Sequence, residues 1–169
     1  MTESKTRILS HQKIVQKVNR IAYQIYEDNY DQKEIIIAGI AQNGYTLARL
    51  ISHKLKEISP IKIKLVELKV NKKNPIDNEI DFELTTDDIK NKSIILVDDV
   101  QNSGRTMIYG LQPFLKAPIK KLSIAVLVDR SHKRFPVKAD YVGISLATTL
   151  KEHVEVKFDD ENNYIAYLC

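Results

Sequence analysis

The stretch of residues 94–106 constrains the fold of this chain more than any other segment. It begins with four apolar residues, 94–97, which predict a short strand buried on both faces, as in parallel sheets. Two adjacent carboxylates, Asp98 and Asp99, follow where this strand is expected to end. A run of small and polar residues that includes Gly104 comes next, and then an amphipathic stretch. The segment therefore predicts a strand, a tight loop and the start of a helix in direct succession.

A loop in this position can bind an anion. Backbone N–H groups of the loop and the start of the helix both favour negative charge, and Gly104 permits backbone conformations that a side chain forbids. Ser103 and Thr106 add hydroxyl donors, and Arg105 adds a positive charge. The spacing matches neither the Walker A motif nor the Rossmann fingerprint. A second interpretation stays open from the residues alone, because adjacent acids after a strand also serve as a helix N-cap and first-turn pair.

Strand and helix patterns alternate along the chain. Apolar residues at helical spacing predict one helix that begins after Ser10 and ends near Asn29, and a second over 45–55. Short apolar or alternating runs predict strands, at 35–40, 61–66, 94–97, 121–128 and 139–143. The last two runs, 154–158 and 164–168, predict an antiparallel hairpin. This order is typical of an α/β fold with a parallel sheet and helices on both faces, whose ligands bind beyond the carboxyl ends of the strands.

Two segments are expected to lie outside regular structure. Residues 1–9 predict a loose arm before the first helix. Residues 69–88 are polar and charged with weak periodicity, and they predict a long loop in which a hairpin is one interpretation. Loops of this length are either functional or disordered.

Length and composition limit the number of domains, the cellular compartment and the classes of ligand that we expect. A chain of 169 residues predicts a single domain, 1–169. The only cysteine, Cys169, excludes an internal disulfide and a multi-cysteine metal site, which is typical of a reducing compartment. The first residues lack the apolar region of a signal peptide, and no apolar run is long enough to span a membrane, so we expect a cytoplasmic protein. A net charge of +4 and a pI of about 9.0 fit an anionic substrate and a nucleic acid equally.

The 94–106 segment resembles the 5-phosphoribosyl 1-diphosphate (PRPP) site of type I phosphoribosyltransferases. That site has four apolar residues, two acids and a loop that ends Thr/Ser-Gly-Arg/Lys-Thr, and here it is Ile-Ile-Leu-Val-Asp-Asp-Val-Gln-Asn-Ser-Gly-Arg-Thr. Residues 122–143 resemble one subfamily, the pyrimidine operon regulators that double as uracil phosphoribosyltransferases. The resemblance is close from 94 to about 155, moderate over 14–55 and poor over 69–89. It implies the type I phosphoribosyltransferase fold, with a lid loop and a C-terminal β-hairpin.

The resemblance also implies a role for each part of the site. Asp98 and Asp99 are the catalytic carboxylates, which hold the ribose hydroxyls and organise Mg²⁺ with its waters. The PRPP- and nucleotide-binding residues form a 5′-phosphate loop (Val100, Gln101, Asn102, Ser103, Gly104, Arg105 and Thr106) and a diphosphate turn (Ala41, Gln42, Asn43 and Gly44). The base pocket comes from the segment 129–142, with Asp129, Arg130, Tyr141 and Val142. From the residues alone, Asp129 and Arg130 fit an ion pair with each other equally well.

The implied activity is that of a pentosyltransferase, which converts uracil and PRPP to UMP and diphosphate. Two departures from the family weaken it. The diphosphate turn of the regulators is usually Lys-Thr-Arg-Gly, and here it is Ala-Gln-Asn-Gly. Their lid usually carries Tyr-Arg-Asp-Asp, whereas residues 69–73 contain neither tyrosine nor arginine. Lys72 and Lys73 substitute there only as point charges.

Two other functions therefore stay open. One is a nucleotide-sensing, RNA-binding regulator of pyrimidine genes without significant catalysis, and the other is a salvage transferase for another base. Purine salvage enzymes have an aspartate at the position of Asn102, where it handles a purine proton, and the amide argues against a hypoxanthine-guanine enzyme. The implied partners are PRPP, a nucleobase and a nucleoside monophosphate, with RNA open as a further partner. The resemblance also implies a homodimer or a larger homo-oligomer.

Overall fold

The protein folds around a five-stranded sheet in which every neighbouring pair of strands is parallel. The structure is a computed structural model that describes residues 4–74, 76, 80 and 82–169. The strands lie in the order β3–β2–β4–β5–β6. Their bounds are Glu34–Ile40 (β2), Lys62–Leu68 (β3), Ser93–Gln101 (β4), Lys121–Asp129 (β5) and Tyr141–Ser145 (β6). The predicted parallel sheet is thereby confirmed.

Helices cover both faces of this sheet. Residues of each central strand alternate between two apolar clusters, one on each face, and each cluster is covered by helices. Ile35 and Ile37 of β2 pack in the cluster that includes α1 (His11–Asn29) and α2 (Asn43–Ile58). Ile36 of the same strand faces the opposite cluster. That second cluster includes residues of α3 (Thr86–Ile89), α4 (Arg105–Gly110) and a 3₁₀ helix (Gln112–Lys116). No helix in the described residues is both long and apolar enough to cross a bilayer.

Local chemistry explains where the helices begin and end. The Ser10 side chain accepts a hydrogen bond from the backbone N–H of Lys13, so the predicted N-cap of α1 is confirmed. The helix after the 5′-phosphate loop is shorter than the amphipathic pattern indicates, since α4 ends at Gly110 and a 3₁₀ helix follows it. Pro113 lies at the start of this 3₁₀ helix, where its missing N–H costs least.

A second, antiparallel sheet joins the two ends of the chain in the order β1–β8–β7. The predicted C-terminal hairpin is confirmed, with β7 at Val154–Phe158 and β8 at Tyr164–Leu168. The expectation of a loose arm over residues 1–9 is wrong, because β1 (Thr6–Leu9) pairs with β8 and Leu9 is buried. Four residues are too few to show a strand period, and the partner strand lies at the far end of the chain. Residues 1–3 lie outside the described residues.

The segment between β3 and β4 runs across one face of the sheet. Its described residues between β3 and α3 form no strand hairpin, so that interpretation is not supported there, and the positions 75, 77–79 and 81 lie outside the described residues. Four of its described apolar side chains pack against the second apolar cluster: Val70, Ile80, Phe82 and Leu84. The segment thus covers apolar surface on the same face of the sheet as α3, α4 and the 3₁₀ helix.

Candidate active site

The two carboxylates lie near the carboxyl end of β4, the central strand of the parallel sheet. The strand extends past its apolar residues to Gln101 and takes in both Asp98 and Asp99, so it is longer than the sequence predicts. The helix that follows begins at Arg105, with Gly104 as its N-cap. The acids therefore do not cap this helix, and the capping interpretation is wrong.

Asp98 is almost fully covered, with 2% of its surface exposed. Burial raises the pKa of its carboxyl well above the ordinary value, and the neighbouring Asp99 carboxylate raises it further. The ammonium group of Lys72 opposes this shift, and its Nζ lies 3.5 Å from Asp98 Oδ2. The backbone N–H of Asp99 also donates to Asp98 Oδ1, at 2.9 Å. A cation brought into this site would favour the ionised form of Asp98.

The second carboxylate, Asp99, is held by an amide from the diphosphate turn. Asn43 Nδ2 donates to Asp99 Oδ2 at 3.0 Å and to the backbone carbonyl of Val156 at 2.8 Å. One side chain at the start of α2 thus joins β4 of the main sheet to β7 of the small sheet. The family resemblance implies a place for Asn43 near the diphosphate but does not imply this contact.

The diphosphate turn itself lies against the end of β4. The peptide bond between Ala41 and Gln42 is cis, and the backbone N–H of Ala41 donates to the carbonyl of Leu68 at 3.0 Å. A Cβ atom at Gly44 would lie 2.7 Å from the Val97 carbonyl oxygen and 2.9 Å from Asp98 Oδ1. Only glycine permits this approach, so the predicted closeness of turn and acids is confirmed in the fold.

The 5′-phosphate loop is a tight turn held by the Ser103 side chain and by backbone hydrogen bonds from residues 134 and 135. Gly104 has a φ of 85°, a left-handed conformation that side chains rarely adopt. Ser103 Oγ accepts from the backbone N–H of Arg105 at 3.3 Å, and the Ser103 carbonyl accepts from the N–H groups of Arg134 and Phe135. The loop closes a cavity of about 150 Å³ that is lined by Lys72, Asp98 and residues 100–107.

Gln101 supports this loop from beneath. It is 1% exposed, and its Nε2 donates to the Val137 carbonyl at 2.9 Å. Its Oε1 is buried and has no donor among the described residues. Gln101 therefore connects the loop to the chain after β5. The sequence does not predict this structural role, because a polar residue in this loop is expected to bind a ligand.

A second cavity, of about 420 Å³, opens on the other side of the same loop. Asn102 and Ser103 line both cavities, and residues 130–134 with Leu150 complete the second one. The family resemblance implies a base pocket in this region, and two of its four residues, Asp129 and Arg130, lie at or beside this cavity at the end of β5.

Asp129 and Arg130 have separate partners, so the ion pair between them, which the residues alone leave open, does not form. Asp129 Oδ1 accepts from the N–H of Ser131 at 3.0 Å, and Asp129 Oδ2 lies 3.8 Å from the ammonium of Lys133. The Arg130 guanidinium points toward the 5′-phosphate loop, where its Nη1 donates to Asn102 Oδ1 at 2.8 Å.

Residues 148–152 also belong to this region, and the sequence gives no sign of it. Arg130 Nε donates to Thr148 Oγ1 at 3.1 Å, and its Nη2 donates to the carbonyls of Thr149 and Glu152. His132 Nε2 contacts the Thr148 carbonyl. These contacts place a coil segment before β7 against the predicted base pocket.

The structure does not bring Tyr141 or Val142 to these two cavities. Tyr141 packs in the cluster of α1 and α2, and its hydroxyl donates to Asp28 Oδ2 on α1 at 2.7 Å. Burial, together with Asp28, raises the pKa of this hydroxyl. Val142 packs in the opposite cluster. Both residues lie on β6, level with Val97 and Asp98 across the sheet, before the chain reaches its carboxyl edge.

The acid pair fits a magnesium ion that arrives with a substrate. No group of three or more histidine, cysteine or acidic side chains in the described residues is arranged to hold a metal. Mg²⁺ usually keeps several waters and binds one or two carboxylates together with substrate phosphates. Asp98 and Asp99 provide such oxygens beside the diphosphate turn, where burial and the neighbouring Asp99 raise the pKa of Asp98 and Lys72 opposes that shift.

Comparison with known proteins agrees with this geometry. Residues 4–161 match the family model of the phosphoribosyl transferase domain. The chain is 33% identical over 164 residues to the Bifunctional protein PyrR of Clostridium novyi (strain NT), covering 91% of this chain and 90% of that protein. It is 36% identical over 155 residues to the Bifunctional protein PyrR of Streptococcus mutans, covering 88% of this chain and 87% of that protein.

Solved structures show the same fold at lower identity. A hypoxanthine-guanine phosphoribosyltransferase from Bacillus anthracis superposes with a TM-score of 0.75 at 20% identity and covers 99% of both chains. The hypoxanthine phosphoribosyltransferase of Trypanosoma cruzi superposes with a TM-score of 0.76 at 14% identity and covers 95% of both chains.

Proposed function

Because the chain belongs to the phosphoribosyltransferase family, we propose that it binds PRPP and transfers the phosphoribosyl group to uracil. N1 of uracil forms a bond to C1′ of the ribose, the bond from C1′ to the diphosphate oxygen breaks, and the N1 proton is released. The observation that carries this proposal is the acid pair Asp98 and Asp99, which leads directly into the loop that closes the 150 Å³ cavity.

Each part of this site suits one part of PRPP. The tight turn around Gly104 offers backbone N–H groups and hydroxyls to the 5′-phosphate. The part-exposed Asp99 accepts hydrogen bonds from ribose hydroxyls, and its orientation is held by Asn43. Positioning of this kind supplies much of the rate in reactions that need little covalent chemistry from the protein.

Mg²⁺ is the cofactor in this proposal, held by Asp98 and Asp99 together with substrate oxygens. When bound, it stabilises negative charge on the leaving diphosphate. The chain's own contribution near the leaving group is small, since Ala41, Gln42 and Asn43 carry no charge. Lys72 is a basic side chain that contacts Asp98 of the acid pair. We therefore propose that nucleotide binding is better preserved than turnover.

The base assignment rests on the resemblance to the pyrimidine regulators and on the cavity beyond Asn102. The amide at this position cannot act as the general acid or base that purine salvage enzymes have there. Residues 130–134 and Leu150 form the remaining walls, and the Arg130 guanidinium lies at the boundary with the 5′-phosphate loop. Uracil, with two carbonyl acceptors, suits walls that are rich in donors.

The test is nucleotide formation from PRPP with uracil, hypoxanthine, guanine, xanthine and orotate, in the presence of Mg²⁺. We expect UMP to be the main product, with a low turnover. Asp99→Asn should lower the affinity for UMP about tenfold or more, because charged hydrogen bonds to the ribose contribute roughly 1.5–3 kcal/mol each. Its matched control is Asp159→Asn on the exposed turn between β7 and β8.

Two results would overturn the proposal. A dominant product from another base would replace uracil with that base. Unchanged UMP affinity in the Asp99→Asn variant would remove the acid pair from the site.

A second function, a nucleotide-sensing RNA-binding regulator with little catalysis, is favoured by one specific contact. Asn43 occupies the position of a basic residue in the regulators, and both of its described hydrogen bonds are made to the protein itself. A mobility-shift assay with leader transcripts of pyrimidine genes, with and without UMP, separates this function from the first. Light scattering of the same sample tests the homodimer or larger homo-oligomer that we propose for either function.

A further inference from the structure

The side chain of Asn102 lies at the boundary between the two cavities of the site. It lines the 150 Å³ cavity on the phosphate side and the 420 Å³ cavity beyond it. It is exposed, yet its amide is not free to rotate, because Asn102 Oδ1 accepts from Arg130 Nη1 at 2.8 Å. Any ligand that extends from the 5′-phosphate loop into the larger cavity passes this amide.

Arg130 is held rigidly behind Asn102. Only 9% of its surface is exposed, and its other nitrogens donate to Thr148 Oγ1 and to the carbonyls of Thr149 and Glu152. None of the ion pairs among the described residues includes Arg130. Its guanidinium is thus used to hold neutral oxygens in place, and Asn102 Oδ1 is one of them.

This contact decides which way the amide faces. A guanidinium has only donors, so the Asn102 atom that faces it must be the oxygen. The Nδ2 group, with two N–H donors, then points away from Arg130. In the part of the chain that the structure describes, no hydrogen bond uses Asn102 Nδ2.

We infer that Asn102 is a specificity-determining residue that donates from Nδ2 to an acceptor on the edge of the base, and that Arg130 is the positioning residue that fixes its orientation. The inference rests on the proposed function and narrows it to a class of substrate. The base must present a carbonyl oxygen or an unprotonated ring nitrogen next to the atom that bonds to the ribose. Uracil meets this requirement with its 2-carbonyl, which is adjacent to N1. A base with an N–H on that edge would place donor against donor, so the Asn102 Nδ2 group would gain no acceptor and binding would be weaker.

The experiment measures a pairwise coupling between the amide and the 2-carbonyl by calorimetry. The probes are ribose 5-phosphate, UMP, 2-thio-UMP and 4-thio-UMP, because sulfur is a much weaker acceptor than oxygen. For the unaltered protein we expect 2-thio-UMP to bind about tenfold more weakly than UMP, and 4-thio-UMP to bind nearly as well as UMP. This comparison needs no variant and so does not depend on a variant folding.

Two variants of neighbouring residues complete a double-mutant cycle, in which the second change is the replacement of the 2-carbonyl oxygen by sulfur. Asn102→Ala should bind UMP about tenfold more weakly and no longer distinguish UMP from 2-thio-UMP. The matched variant is Ser103→Ala, which lines the same two cavities. It should weaken ribose 5-phosphate and UMP by the same factor and retain the preference for UMP over 2-thio-UMP.

Arg130→Lys tests the positioning role, because lysine keeps the charge but loses the rigid fork. We expect it to reduce the preference for UMP over 2-thio-UMP. A preference that stayed intact in Arg130→Lys or in Asn102→Ala would overturn the inference, and so would equal affinities of the unaltered protein for UMP and 2-thio-UMP. Failure of the unaltered protein to bind ribose 5-phosphate would instead overturn the proposed function on which the inference rests.

Discussion

Asp98 illustrates at the scale of a single residue how a binding site can oppose stability. Its carboxyl is buried beside a second carboxylate, and its pKa is raised. The free protein therefore bears the cost of desolvating a charge whose compensation comes partly from Lys72 and, in our proposal, from a bound cation. Sites of this kind are commonly less stable than the fold around them permits.

We predict that Asp98→Asn stabilises the free protein by about 1–2 kcal/mol at neutral pH, a rise of a few degrees in melting temperature. Because the folded-state pKa is raised, the unaltered protein loses stability as pH rises above the ordinary aspartate pKa of about 3.9, and the variant does not. The advantage of the variant should thus grow with pH, and PRPP binding should be lost. Calorimetry from pH 4.5 to 8 measures the melting temperature and PRPP binding. A variant less stable than the unaltered protein at neutral pH would show that the ion pair with Lys72 outweighs the cost of burying the Asp98 charge.

The family resemblance implies that Tyr141 belongs to the base pocket, but the observed packing places it elsewhere. Its hydroxyl donates to Asp28 on α1, away from both cavities. We predict that Tyr141→Phe lowers the free energy of unfolding by about 1 kcal/mol and leaves UMP affinity within about twofold. Tyr30→Phe, at a position 75% exposed, is the control for stability. A large loss of UMP affinity in Tyr141→Phe would return this residue to the base pocket.

At the scale of elements, the start of α2 has an uncharged residue that links two strands, where the family resemblance leads one to expect a basic residue. Asn43 connects Asp99 on β4 with Val156 on β7, where a basic residue would serve the diphosphate. The resemblance suggests restoring the basic residues of the turn, and the structure shows that the two positions are not equivalent. Ala41 contributes a backbone hydrogen bond to Leu68, and its methyl side chain has no hydrogen-bonding group to lose.

We predict that Ala41→Lys, Asn43→Arg and the triple variant with Gln42→Thr all raise turnover, by as much as about 10²-fold, since one donor to developing charge is worth roughly 10²–10³ in rate. Asn43→Arg should in addition lower the free energy of unfolding by about 1 kcal/mol, because two hydrogen bonds are lost. Steady-state kinetics and urea unfolding measure the two effects. An unaltered protein that already turns over as fast as salvage enzymes would contradict the idea of a weakened catalyst.

At the scale of the whole molecule, the two ends of the chain meet in one sheet that supports the site. β1 pairs with β8, β8 pairs with β7, and the Val156 carbonyl on β7 accepts from Asn43. Leu9 on β1 is buried in the same apolar cluster as Val156 and Ala166. The N-terminal residues are therefore part of the support for Asp99.

We predict that Leu9→Ala lowers the free energy of unfolding by about 2–4 kcal/mol, the usual cost of truncating a buried leucine. Arg7→Ala, at an exposed position of the same strand, should change it by less than about 0.5 kcal/mol. Urea unfolding of the two variants is the measurement. Equal stability of Leu9→Ala and Arg7→Ala would mean that residues 6–9 are a loose arm after all.

The sequence by itself determined the fold class, the order of its main elements and the location of the acid pair and its loop. These features depend on local patterns, such as the apolar run before Asp98, the glycine with a left-handed backbone at position 104 and the cap at Ser10. Strand period, helix period and turn chemistry act between residues a few positions apart, so they can be read along the chain. The lengths of β4 and α4 were less predictable, because pairing and packing decide where an element stops.

Only the tertiary structure decided how distant residues share the site. It joined Asn43 to Asp99 across 56 positions and Arg130 to Asn102 across 28. It paired β1 with β8, and it placed Tyr141 against α1 rather than in a pocket. None of these contacts has a local signal, because each one depends on which side chains the sheet order brings together. A hydrogen bond between residues far apart in sequence becomes favourable only after the strands between them have paired. The order of the strands in the sheet cannot be deduced from local sequence patterns.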